Sequence, residues 1–169
     1  MARPVTPPFG VEVLRALLSY DPVTGAFTWI CPQKNQHRKA GAAAGYFCPS
    51  ARYIRIKIMD RAYLAHRVAW CWMTGAWPVH TIDHMDGDRL NNRFANLRDV
   101  PHAINCQNER RVRDSSTNDY AGVVRDGSRW AARIRTGGRL RHIGMFGTQL
   151  EAHEAYLAKK RELHPGFLL

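Results

Sequence analysis

The sequence predicts an α+β protein in two parts, a mixed N-terminal part and a small three-stranded antiparallel sheet packed on one helix. Three observations carry this. Tyr53 to Met59 alternates, with Ile54, Ile56 and Ile58 on one side and Tyr53, Arg55 and Lys57 on the other; that is the period of a half-buried strand. Ala65 to Thr74 is rich in Ala and Trp and runs into Gly75, as a helix does when a left-handed residue stops it. Past residue 119, three strand-like runs separated by Gly-containing turns precede Thr148 and Glu151, the spacing of a capping box.

Taken in order, residues 1–10 are Pro-rich and read as an extended arm. Val11 to Leu18 suits a short helix with Val13, Leu14, Leu17 and Leu18 to one side. Asp21 to Gly25 is a turn and Phe27 to Trp29 begins a strand. Residues 32–45 are polar, basic and Gly/Ala-rich, and read as loop. A tight turn at Asp60-Arg61 leads the alternating strand into Ala62 to Leu64. Trp70, Trp72 and Trp77 are expected in the core. Residues 109–119, dominated by Arg and small polar residues, read as a basic linker. Tyr120–Arg125, Trp130–Arg135 and Leu140–Phe146 are the expected C-terminal strands, followed by a helix from Gln149 to about Glu162. The expected organisation is therefore 1–108, the linker 109–119, and 120–169.

The chain has 169 residues and a formal charge of +11, with 45% hydrophobic residues, enough for a real core. The charge is uneven. Residues 1–80 carry ten Lys/Arg against three Asp/Glu, 81–110 four against five, and 111–169 eleven against six. Two basic flanks around a carboxylate-bearing centre suit a polyanion held on both sides of a cation site. No apolar run long enough to cross a membrane and no Lys-rich amphipathic stretch is present, so no membrane partner is expected. No apolar stretch follows the start, and the expected location is cytoplasmic. Cys31, Cys48, Cys71 and Cys106 contain no C-x-x-C pair and read as buried free thiols.

The chemistry concentrates in Ile82 to Arg98. An Asp83-His84 pair at a strand end precedes the turn Asp86-Gly87-Asp88, then Asn91-Asn92 and Asn96. Phosphodiester hydrolysis needs an activated water and a neutralised phosphate. A hard divalent cation on oxygen ligands serves the second need, and an imidazole near neutral pH serves the first. Asp83 is then the expected metal ligand and His84 the expected base, with Asn96 placed to fix the His84 ring. Pro101 suits a helix start, and His102, Asn105 and Asn108 are spaced by three along that helix. Asn105 or Asn108 is the expected second ligand.

The run Ala65-His66-Arg67-Val68-Ala69-Trp70, Gly75, Pro78, Ile82-Asp83-His84, Asp86-Gly87-Asp88, Asn91-Asn92-Arg93, Asn96-Leu97-Arg98 and Asn105 to Asn108 resembles the HNH nuclease family, closest to its phage and intron-type homing endonucleases. The resemblance implies a ββα-metal fold and a site-recognising DNA endonuclease in a bacterial or phage-infected cell. It would nick one strand as a monomer or cut both as a homodimer. It implies Asp83 as metal ligand, His84 as general base and Asn96 as the residue orienting it. Asn105 stands where the final His ligand often lies; an amide oxygen there favours magnesium or manganese over zinc. His66 and Arg67 either contact phosphate or buttress the site. The alternative implied by the Asn105 departure is a catalytically inactive or weak HNH-fold protein that binds DNA.

Tyr120-Ala121-Gly122-Val123, Trp130 to Arg135, Ile143 to Phe146, Thr148, Glu151-Ala152 and Ala155-Tyr156 resemble the DNA-binding domain of plant ethylene-response factors, in which the sheet enters the major groove of double-stranded DNA. Ala121 and Val124 stand where arginines commonly contact DNA in that family. Arg125, Arg129, Arg133, Arg135, Arg139 and Arg141 are the candidate contacts here, with Arg111 and Arg113 on the linker and Arg55, Lys57 and Arg67 in the N-terminal part.

Overall fold

The computed structural model describes residues 7–32, 39–108, 120–164 and 166–167. The expected linker, with Arg111 and Arg113, lies outside them. The chain divides into two compact units, Met1–Pro101 and His102–Leu169. Among the described residues the architecture is α+β with four small antiparallel sheets.

In the first unit, α1 (Val11–Leu17) leads directly into β1 (Leu18–Tyr20), which pairs antiparallel with β2 (Phe27–Trp29). The Asp21 side chain closes the turn between them, accepting from the Val23 amide at 2.9 Å and the Thr24 hydroxyl at 2.7 Å. A second sheet joins β3 (Tyr46–Cys48), β4 (Tyr53–Ile58) and β5 (Arg61–Leu64), with β4 central. Its alternation is the one expected: Ile56 and Ile58 are buried while Arg55 and Lys57 are half-buried. The hairpin turn sits one residue earlier than expected. Met59 and Asp60 are its two left-handed residues, at φ 47° and 63°, and Arg61 pairs with Ile58. Two consecutive positive φ values match the twist of a two-residue hairpin.

Helix α2 (Ala65–Thr74) starts where β5 ends. Gly75 stops it at φ 82°, its amide donating to the Cys71 carbonyl at 2.9 Å. The buried face of α2, with Val68, Ala69 and Cys71, meets Leu14, Leu18, Tyr20, Phe27, Trp29, Ile56 and Ile58 in one core. Trp70, Trp72 and Trp77 pack against that core without being fully buried. After α2, β6 (Thr81–His84) and β7 (Leu97–Val100) form an antiparallel pair, and a 3-10 turn at Phe94–Asn96 delivers the chain into β7.

The second unit holds α3 (His102–Gln107), β8 (Val123–Asp126), β9 (Arg129–Thr136), β10 (Arg139–Phe146) and α4 (Gln149–Leu163). The strands form one antiparallel sheet with β9 central, and α4 packs across all three. The expected capping box is complete: the Thr148 hydroxyl accepts from the Glu151 amide at 3.2 Å, and the Glu151 carboxylate accepts from the Thr148 amide at 3.2 Å. The small core is Val123, Ala132 and Ala152, with Tyr120, Trp130, Ile143, Phe146 and Tyr156 against it. The β9–β10 register shifts between His142 and Gly144, a bulge at Ile143.

The thiols depart from expectation. All four are free, but only Cys71 is buried, while Cys31 and Cys106 are exposed. Among the described residues no helix is long and apolar enough to cross a membrane.

Candidate functional site

Asp83 and His84 close β6 and are each 4% exposed. Neighbouring strand residues point to opposite sides, and the two side chains enter different surroundings. Asp83 is opposite Arg98 in the β6–β7 register. Arg98 Nε and Nη2 both donate to Asp83 Oδ2, at 2.8 and 2.6 Å. His84 lies against the His66 ring, perpendicular at 5.0 Å between centroids, and near the Tyr53 ring at 6.0 Å. Tyr53 also meets His66 edge-on at 4.9 Å, and the Arg89 guanidinium lies over the Tyr53 ring at 5.1 Å. Neither Tyr53 nor Arg98 was singled out from the sequence.

The Asn residues are organised by Asp86. Its carboxylate accepts from Asn91 Nδ2 at 2.6 Å, Asn96 Nδ2 at 2.9 Å and the Asp88 amide at 2.9 Å. Burial pushes the Asp86 carboxyl up, but the Asn91, Asn96 and Asp88 bonds and the nearby His84 together hold it below the usual carboxylate range. Asn96 also accepts from the Asp86 amide at 3.0 Å and donates to the Asn91 carbonyl at 2.9 Å. Asn96 therefore braces the loop. The amide beside His84 is that of Asn92, whose Oδ1 is 3.5 Å from Nε2. Asn92 is 2% exposed, and its carbonyl accepts from the Tyr20 hydroxyl at 2.7 Å, tying the loop to the core.

Burial lowers the pKa of His84, against the Asn92 contact and the carboxylates of Asp86, Asp83 and Asp88, which raise it. His66 is lowered further, by burial first and then by His84, Arg67 and Arg89. Its Nδ1 is buried with no hydrogen-bond partner among the described residues. A histidine depressed in the folded state binds its proton more readily when unfolded. The stability this contributes is full above the unfolded value and is lost as pH falls below about 6.5. The first unit is expected to melt at progressively lower temperature from about pH 6.5 to pH 5, with a flatter profile in His66→Phe. An equally steep profile in that variant would assign the dependence to other groups.

Arg67 buttresses the α2–β6 connection, donating to the His80 carbonyl at 3.0 Å and the Pro78 carbonyl at 3.2 Å. Asp99 closes the same segment, accepting from the Val79 and His80 amides at 2.8 Å each. His102, Asn105 and Asn108 belong to the second unit, whereas Asp83 and His84 belong to the first. The described contact of His102 is with Cys106 one turn on, Nε2 to Sγ 3.4 Å. Asn105 is half-buried on α3, and Asn108 is buried just past its end, its amide donating to the Asn105 carbonyl at 3.1 Å.

The β6–β7 pair with its Asp-His end and Asn-rich loop is where a known family can be compared. Residues 63–107 match a family model described as an HNH endonuclease. The match runs from β5 to α3 and takes in about a quarter of the chain. No curated protein and no solved structure matches.

The expected metal centre is corrected by its donor set. Among the described residues no group of three or more His, Cys, Asp or Glu is gathered so as to hold a metal ion. The Asp83 carboxylate, the expected charged ligand, is engaged by the Arg98 guanidinium instead. The magnesium or manganese ion expected on Asp83 and Asn105 does not fit these residues. With it falls the expectation of a divalent-metal-dependent endonuclease, a hydrolase with His84 as the general base of a metal-assisted step.

In the second unit the register divides the six candidate arginines. Arg129, Arg133 and Arg135 alternate along β9 and share one face, on which Val124, Leu140 and His142 stand opposite Ala131, Arg135 and Arg133. Arg125, Arg139 and Arg141 pair with Trp130, Thr136 and Ile134, on the face that carries the core. Arg125 lies over the Trp130 ring at 5.9 Å. On the open face the Asp126 carboxylate lies 3.7 Å from Arg133 and is well exposed.

Proposed function

We propose that this chain is a DNA-binding protein of HNH-like type, acting by binding and without metal-driven cleavage. The observation that carries this reading is the Asp83–Arg98 ion pair: the carboxylate expected to hold a cation is engaged by a guanidinium, in a protein of net charge +11. Polyanion binding needs cations facing outward, and each unit has a set. Arg55 and Lys57 stand half-exposed on β4, with Lys57 3.1 Å from Asp60, and Arg129, Arg133 and Arg135 share the open face of β9. The resemblance of residues 120–163 to a major-groove sheet gives the β9 set the role of positioning the duplex, while Arg125, Arg139 and Arg141 stand on the other face of the sheet. Arg111 and Arg113, in the expected basic linker, would contact phosphates.

Titrating a fluorescein-labelled duplex in EDTA tests this. Binding is expected without divalent metal and weakens as salt rises. Replacing Arg129, Arg133 and Arg135 together by Ala is expected to reduce the slope of log affinity against log salt by about 2 to 3. A duplex that stays unbound at low salt would remove the reading. So would rapid nicking of supercoiled plasmid by wild type with magnesium that His84→Ala abolishes.

A further inference from the structure

The open face of the C-terminal sheet is not uniformly polar. Among the described residues of the second unit, three large apolar side chains are well exposed: Val124 at 41%, Leu140 at 57% and Leu150 at 52%. Leu150 belongs to α4, but Val124 and Leu140 stand on the face that carries Arg129, Arg133 and Arg135. Single exposed apolar residues are ordinary. These two are set apart by their register. Val124 lies opposite Ala131, which places it diagonal to both Arg129 and Arg133. Leu140 lies opposite Arg135 and diagonal to Arg133. Diagonal pairs on one face are ~7–8 Å apart, within reach of long side chains. Each apolar residue therefore has two arginine neighbours.

The guanidinium groups lie along the sheet. Arg129 Nη2 donates to the Met145 carbonyl at 2.9 Å, and Arg135 Nη1 donates to the Gly138 carbonyl at 3.1 Å. Arg133 lies 3.7 Å from the exposed Asp126 carboxylate. A guanidinium carries five N–H donors, so each of these contacts leaves others for a ligand. Phosphates alone would match the arginines and leave Val124 and Leu140 in water. The major groove of duplex DNA offers both kinds of partner, acceptors on guanine and an apolar methyl group on thymine. The spacing agrees. Alternate residues of an antiparallel strand recur at about 6.8 Å, close to two rises of ~3.4 Å along one DNA strand.

We propose that Val124 and Leu140 read thymine, each packing against a thymine methyl group in the major groove, while the arginines beside them hold phosphates and guanine edges. The inference rests on the DNA-binding reading and deepens it. The sheet selects thymine-containing duplexes through apolar contacts as well as binding polyanions through its charge.

The test uses the full chain in EDTA. A duplex enriched by binding from a random pool is remade with uracil at each thymine in turn, which removes one methyl group and nothing else. At two or more positions this is expected to weaken binding about fourfold, the contribution of one buried methyl group. Val124→Ala and Leu140→Ala are each expected to abolish the preference for thymine over uracil at one position and to keep it at the other. Affinity for an unrelated duplex is expected to change less than about twofold in either variant, since phosphate contacts carry it. Equal binding of the thymine and uracil forms at every position overturns the proposal and leaves duplex binding standing. So do thymine preferences that neither variant alters. Failure of wild type to bind any duplex overturns both readings. Dimerisation of wild type without DNA that Leu140→Ala abolishes overturns the proposal in favour of a second copy of the chain.

Discussion

Replacing Arg98 with Ala is expected to destabilise the first unit by about 3 kcal/mol. Asp83 is 4% exposed, and Arg98 meets its Oδ2 through two nitrogens. Removing the guanidinium leaves a buried carboxylate without its counter-charge, which costs far more than the pair itself contributes. The double change Asp83→Asn with Arg98→Met removes both charges and is expected to recover most of the loss, because an intact buried ion pair is close to break-even against neutral groups of similar size. Chemical denaturation followed by Trp fluorescence reads this, since Trp29 and its neighbours report on the core beside the pair. A loss below about 1 kcal/mol for Arg98→Ala, the range of an exposed ion pair, would mean that Asp83 does not depend on it.

Gly122→Ala is expected to cost the second unit about 3 kcal/mol. Gly122 lies at φ 78°, and a methyl group there would run into the Tyr156 ring of α4. Left-handed geometry penalises the alanine by roughly 1–2 kcal/mol. The displaced ring adds an overpacking cost of about 1–3 kcal/mol, and it acts on a core of few residues. Amide exchange should accelerate across β8, β9 and β10 while β4 and β5 keep their protection. Tyr156→Ala in the same chain relieves the clash, so the double variant should lose less than the two single losses added together. Strict additivity would place the whole effect in the backbone.

Much of the fold could be read from local patterns. The alternation of β4, the glycine stop of α2 and the Thr148–Glu151 box depend on neighbours in sequence, and each appears as expected. The hairpin turn was misplaced by one residue because Met59 carries no turn signature, yet it adopts the left-handed geometry. The site was legible as a cluster and illegible as a network. Asp83, His84 and the asparagines stand together in sequence, but what each one touches is set by strand register. Asp83 faces Arg98 only because β6 and β7 pair in the observed frame. A salt bridge across fifteen residues has no periodic signal. Likewise Asn92 and Asn96 look equivalent on paper, and only the 3-10 turn sends one to His84 and the other to Asp86. His66 and Tyr53 converge on His84 from two different elements.

The bulge at Ile143 divides β10 into two pieces with separate obligations. Beyond it, Gly144, Met145 and Phe146 keep step with Ala132, Ala131 and Trp130 around the core. Before it, Arg139 to His142 keep step with Thr136 back to Arg133, towards the open hairpin end. A strand of unbroken alternation would bind the outer residues to the same frame as the inner ones. Here the extra residue absorbs the difference. The outer hairpin thus keeps its own register, while Phe146 stays in step with Trp130.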